Sequence, residues 1–165
     1  MRAFAKITLL ATALSLAAGS AAFAQPQAIN VSIAPKFASD AEKLGERDVN
    51  DQISDLTRQL NRTLTRENAL EGAVLDLVIT DLKPNRPTMQ QLTDRPGLDA
   101  IRSLSIGGAS IEGTVTFADG TKQDVKYNYY TPTLHDAVGS AVWTDANRAY
   151  TRFANNLANG RYISR

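Results

Sequence analysis

The stretch Ala73–Lys83, AVLDLVITDLK, is where the fold of this chain is decided. Leu75, Leu77 and Ile79 share one parity, while Val74, Asp76, Val78, Thr80 and Leu82 share the other, and both sets are largely apolar. A run of this length, rich in Val, Ile and Leu on both faces, reads as a strand inside a sheet rather than at its edge. Pro84 ends it, because proline has no amide to give to a ladder.

Upstream the period changes. Val49, Ile53, Leu56, Leu60 and Leu64 recur at spacings of 4, 3, 4 and 4, a helical stripe from about Glu46 to Arg66. Gly45 or Asp48 begins it, acidic residues in its first turns suit the helix dipole, and Gly72 marks the exit. Further upstream, Ile29, Val31 and Ile33 alternate with Asn30, Ser32 and Ala34, a short strand stopped at Pro35, with Phe37 closing over the same core. Strand, helix, strand in this order predicts a βαβ unit with parallel strands.

Downstream, residues 84–99 contain Pro84, Pro87, Pro96 and Gly97 and read as an irregular loop with one helical turn near Thr88–Leu92. Leu104 and Ile106 start an alternation that Ala109, Ile111, Val115 and Phe117 continue on the opposite parity. Gly107-Gly108 at the change of phase predicts a β-bulge. Asp119-Gly120 is a hairpin turn, and Lys122–Tyr130 is the returning strand with Val125, Tyr127 and Tyr129 on one face. Trp143, Ala146, Ala149, Tyr150, Phe153 and Leu157 mark a last helix, with Thr144 as N-cap and Asn159-Gly160 as its stop.

The expected architecture is α+β: a two-layer sandwich of one mixed four-stranded sheet, ordered β-α-β-β-β-α along the chain, with two helices on one face. The other sheet face has no cover, and Asp76, Thr80, Lys126, Asn128 and Tyr130 are expected on it.

Residues 1–24 read as a cleavable secretory signal peptide. Arg2 and Lys6 give a positive start, Ile7–Ala18 is interrupted only by Thr8, Thr12 and Ser15, and Ala22-Phe23-Ala24 gives the small residues before a cut at Ala24/Gln25. The apolar run is shorter than the roughly 20 residues that a spanning helix needs. The expectation is therefore export to the periplasm or the medium, no stable membrane insertion after cleavage, and one globular domain over residues 25–165. The chain has no cysteine, so a lipid anchor on a cut-site Cys has no acceptor. Cleavage takes Arg2 and Lys6 from 18 basic residues and leaves 16 against 17 acidic ones, a net charge of −1. That balance lacks the basic excess of a nucleic-acid-binding domain.

Catalytic chemistry is sparse. His135 is the only histidine, and His135-Asp136 falls short of the converging ligands of a zinc site; it reads as a solvated loop residue. A Ser-His-Asp arrangement gains no support from Ser140 or the other serines, none of which lies in a nucleophile-elbow context. Gly107-Gly108-Ala109-Ser110 lacks the Lys-Ser/Thr of a phosphate loop. Asp76, Asp81, Glu112, Asp119 and Asp124 lie on or beside the central strands, where use as an acid–base pair depends on their separation in space. No cofactor or metal is expected. The binding candidates are Tyr130, Lys126 and Asn128 on the uncovered face, Arg86 and Arg95 on the proline loop (with Lys83 and Arg102 nearby), and His135.

Three segments together carry a resemblance: Ile79-Thr80-Asp81-Leu82-Lys83-Pro84-Asn85-Arg86-Pro87, Gly107-Gly108-Ala109-Ser110-Ile111-Glu112-Gly113, and Trp143-Thr144-Asp145-Ala146. The combination resembles families of proteobacterial envelope proteins, many of them lipoproteins. The resemblance implies an envelope location and an α+β architecture; it brings no activity and no functional residues, and the missing cysteine separates this chain from the lipoprotein members. The leading expectation is an exported binding or accessory module that takes another envelope protein or a glycan. A small secreted hydrolase and a structural protein that homo-oligomerises through a sheet edge are the alternatives.

Overall fold

The computed structural model describes residues 25–164. Residues 1–24, expected to be a signal peptide and ending at Ala24 on one side of the expected cut, lie outside the described residues; Gln25 is the first within them. The domain is α+β. A five-stranded mixed sheet runs in the order of the chain: β1 (Ala28–Ile33), β2 (Val74–Lys83), β3 (Gly108–Thr116), β4 (Lys122–Tyr130) and β5 (Ile163–Ser164). β1 and β2 are parallel, as the intervening helix requires; β2, β3 and β4 are antiparallel, and β5 runs parallel to β4. The helices are α1 (Ala38–Leu44), α2 (Glu46–Arg66), α3 (Met89–Asp94) and α4 (Thr144–Ala158).

α2 and α4 lie side by side across one face of the sheet. Their stripes close on the inward parity of the strands: Leu56, Leu60 and Leu64 from α2, Tyr150, Phe153 and Leu157 from α4, and Leu75, Leu77, Ile79, Ile111 and Val115 from the sheet are all buried. Tyr127 stacks on Phe153 with ring centroids 5.7 Å apart. Each buried aliphatic or aromatic side chain contributes on the order of 1.5–3 kcal/mol, and this shared apolar layer holds the two helices to the sheet.

Four sequence expectations need correction. The sheet has a fifth strand, because two residues are too few to show a period: Lys126 donates its amide to the Tyr162 carbonyl at 2.9 Å, and the tail docks there on β4. Beside α2 and α4 there are two short helices: α1 is a double turn too short to carry a full stripe and goes unread in the sequence, whereas α3 is the helical turn expected near Thr88–Leu92 and runs on to Asp94. α3 is started by a capping box in which the Thr88 hydroxyl accepts the Gln91 amide at 3.2 Å and the Gln91 side chain accepts the Thr88 amide at 3.1 Å. The irregularity in the sheet lies in β2 at Thr80, between Ile79 and Asp81, and not at Gly107-Gly108; Leu104 and Ile106 precede β3 and belong to no strand. The bulge turns Leu82 into the core opposite Ala109 and puts Asp81 on the outer face opposite Ser110. Finally, Thr144 is the first residue of α4 and not its cap, although its hydroxyl accepts the Ala141 amide at 2.9 Å.

Candidate functional site

The outer sheet face is polar and its groups answer one another across strands. Asn30 donates to Asp76 at 2.7 Å, Lys126 bonds to Glu112 at 2.8 Å, and the Tyr130 hydroxyl donates to Asp81 at 2.6 Å. The Lys83 ammonium sits 5.1 Å from the Tyr130 ring centroid and 3.6 Å from the Asp81 carboxylate. The Lys126 hydrogen bond holds the Glu112 carboxyl below its usual range, and burial followed by the Asp81 hydrogen bond pushes the Tyr130 hydroxyl up. Asn128 is half-buried opposite Ser110. This face is a set of closed cross-strand pairs.

The end of the sheet where β2 and β4 finish is built differently. The segments 84–107 and 131–143 leave the sheet there and are stitched together by Asn85 and Arg86. Asn85 is fully buried, and all of its polar groups are used. Its amide donates to the Val142 carbonyl at 2.7 Å and its carbonyl accepts the Ser105 amide at 2.9 Å. Its side-chain amide donates to the Asp145 carboxyl at 2.5 Å, and its side-chain oxygen accepts the Asp145 main-chain amide at 3.0 Å. Asp145 is itself fully buried and is reached by Arg148 at 2.8 Å, which also touches the Tyr129 hydroxyl at 3.3 Å. Gly107 packs against Asn85 so closely that a Cβ there would lie 2.4 Å from the Asn85 side-chain oxygen. Arg86 donates to the Ser140 carbonyl at 2.6 Å and to the Ile101 carbonyl, one on each loop. Trp143 is partly buried and donates its indole N–H to Asp48 in the first turn of α2 at 3.0 Å, which ties the start of α4 to the start of α2.

On this framework sits a groove of about 300 Å³ lined by Lys83, Gln91, Arg95, Leu98, Leu104 and Ile106, with prolines and serines completing the wall. Its lining sets the Arg95 guanidinium, and a Lys83 ammonium already 3.6 Å from Asp81, beside Leu98, Leu104 and Ile106. On the two segments that leave the sheet, Met89, Ile101, Ile106, Leu134 and Val138 are exposed, and of these Ile106 lines the groove; Ile101 and Val138 are 78% and 66% accessible. Exposed aliphatics held on loops of a fixed scaffold are the arrangement that surface recognition uses.

The structure thus separates the sequence candidates into groups. Arg95 lines the groove, and Tyr130 adjoins it through Lys83. Arg86 lies beneath the loops as their clamp. Lys126 and Asn128 lie further along β4 on the outer face. His135 is exposed in a short 3-10 turn, Leu134–Ala137, and the adjacent Asp136 carboxylate is taken by the Thr133 hydroxyl at 2.7 Å. Among the described residues no three His, Asp or Glu side chains are grouped as metal ligands, and no helix is long and apolar enough to cross a membrane. Sequence reading missed Asn85 and Asp145 as partners, although both lie in the segments that carry the envelope-protein resemblance. A polar residue next to proline and another at a helix start each read as local turn chemistry; only the fold shows that they meet.

Compared with known proteins, the chain matches no protein-family model and no curated sequence significantly.

Proposed function

We propose that this is an exported module of the bacterial envelope that works by binding and not by catalysis, and that it takes another envelope component at the loop end of the sheet. The observation that carries the reading is the groove formed by Lys83, Arg95 and Ile106 on loops that Asn85 and Arg86 hold in place. Preformed loops reduce the ordering cost of association, and exposed aliphatics beside the Arg95 guanidinium suit a partner with an apolar segment and a negative group. The outer sheet face is the weaker surface, because its polar groups already pair with one another across β1, β2, β3 and β4.

The test is site-specific photo-crosslinking in the envelope of cells that express the full chain. A photoreactive residue at Ile106 or Arg95 is expected to give a discrete adduct, and the same probe at Lys126 or Asn128 is expected to give none. The mass and digestion pattern of the adduct distinguish a protein from a glycan. Adducts only from Lys126 and Asn128 would move the site to the sheet face, and no adduct from any of the four positions would sink the reading.

A further inference from the structure

Among the described residues, nothing pairs with the outer edge of β1, and this feature is independent of the loop groove. β1 pairs with β2 on one side only. The Ala28 and Ala34 amides turn inward to Ala73 and Ile79 carbonyls of the β2 side, at 3.5 and 3.0 Å. By alternation, the main-chain groups of Ile29, Val31 and Ile33 point out along the edge, unused by the sheet. Natural edges are guarded by charges, by a proline within the strand, by bulges or by brevity. On the opposite side the two residues of β5 pair with Lys126 and Tyr127 alone, and the part of β4 beyond them carries Lys122 and Asp124 as charges. β1 has six residues, and from Gln25 to Pro35 no side chain is charged; the prolines at 26 and 35 lie outside the strand.

The helix beside this edge repeats the pattern. A hollow of about 360 Å³ between β1 and α2 is lined by Ile33, Ala41, Val49 and Asn50, with Glu42 and Glu46 at one end. From Asn50 onward the flank of α2 turned this way carries Ile53, Ser54, Thr57 and Asn61, all uncharged, whereas its other flank, against α4, carries Asp55, Arg58 and Arg62. The Ser54 and Thr57 hydroxyls turn back to the Asn50 and Ile53 carbonyls, each at 2.9 Å, so this flank shows little free polarity. Depletion of charge over a contiguous strand edge and helix flank is the compositional mark of an interface core.

We propose that β1 pairs antiparallel with β1 of a second copy, which joins two sheets into one of ten strands across a two-fold axis. The neutral edge is its own complement. Pairing that keeps Ile29, Val31 and Ile33 on the helix-covered side and uses their outward groups places Val31 opposite Val31 at the axis, Ile29 opposite Ile33, and Asn30 opposite Ser32. No like charges meet in this register, and the two α2 flanks close over the shared apolar row. Isologous contacts of this kind are the commonest way that a chain forms a closed dimer.

The chain has no cysteine, which makes the test direct. The full chain is expressed, and the mass of the folded product is measured in solution across a concentration series, alone and with Asn30→Lys/Ser32→Lys. A doubled mass that the double lysine variant halves is expected, because both positions are exposed and the change puts like charges across the axis. Asn30→Lys/Ser32→Glu is expected to restore the doubled mass, which separates edge repulsion from simple unfolding. In a second arm Val31→Cys is oxidised beside Asn128→Cys; opposed Val31 positions lie within disulfide reach, and fast covalent dimer is expected from the first alone. A monomeric mass at every concentration, or equal crosslinking by the two cysteine variants, overturns the proposal.

Discussion

Asn85 and Asp145 grip each other twice: the Asn85 side chain donates to the Asp145 carboxyl and accepts the Asp145 main-chain amide, with both residues shut off from water. The pair joins the end of β2 to the first turn of α4. Asn85→Ala leaves a buried carboxyl and a buried amide short of partners. A loss of about 2–4 kcal/mol is expected, more than an exposed polar pair would give. A urea titration checks it: the midpoint falls while the slope stays that of the parent. A loss below about 0.5 kcal/mol would mean that water replaces the amide and that the pair does not hold the loops.

Gly107→Ala tests the same joint from the other side. The new Cβ would fall 2.4 Å from the Asn85 side-chain oxygen and 2.6 Å from its nitrogen, so something must shift. Overpacking of this kind costs about 1–3 kcal/mol. In the double variant Asn85→Ala/Gly107→Ala the clashing atoms are gone, so the two losses are expected to sum to more than the double variant shows. Strict additivity in a double-mutant cycle would sink the packing account.

The core was legible in the sequence wherever burial and period agreed. Leu75, Leu77 and Ile79, the α2 stripe and the α4 stripe occupy the inward positions that their spacing predicts, because each element has one apolar face and one place to bury it. Leu82 shows where this logic stops. Its parity put it on the outer face, but a one-residue bulge at Thr80 sent it inward, and no local signal distinguishes Thr80 from its neighbours. Leu104 and Ile106 lie outside any strand, so Gly107-Gly108 marks the start of β3 and the tight contact with Asn85, and no change of phase within a strand. The loop end was legible only as a concentration of proline and arginine. That Arg86 is a clamp while Arg95 faces the groove depends on which carbonyls the two loops present, a long-range fact outside the reach of spacing.

Acid should loosen the outer face in a defined direction. The Lys126 hydrogen bond is the main reason that the Glu112 carboxyl ionises below its ordinary value of 4.5. A depressed carboxyl adds stability above its unfolded value, and that stability is lost as pH falls through the folded value, since the unfolded chain then binds more protons than the folded one. The pair is largely solvated, so its share is about 0.2–1 kcal/mol. Glu112→Gln is expected to flatten the stability curve below about pH 4.5 and to leave it nearly parallel to the parent above. An unchanged acid limb would show that other carboxyls set it.

The alkaline side is governed by the buried hydroxyls, and here the sign reverses. Tyr150 lies inside the α2–α4 contact with its hydroxyl unpartnered among the described residues, and burial, followed by the Asp55 charge, pushes its ionisation far above the ordinary 10.0. Above that ordinary value the unfolded chain loses the proton while the folded chain keeps it, so stability falls as pH rises. Tyr150→Phe removes both the titration and the cost of a buried hydroxyl without a partner. At neutral pH the variant is expected to match the parent or to exceed it by up to about 1 kcal/mol, with a flatter limb above pH 10. Tyr130→Phe is expected to differ at neutral pH, because its hydroxyl donates to Asp81 at 2.6 Å and supports the face on which Lys83 rests. Denaturation at neutral and at alkaline pH separates the two. If Tyr150→Phe lost as much stability at neutral pH as Tyr130→Phe, the Tyr150 hydroxyl would have to hold a hydrogen bond in solution, and its place in the apolar core would need another explanation.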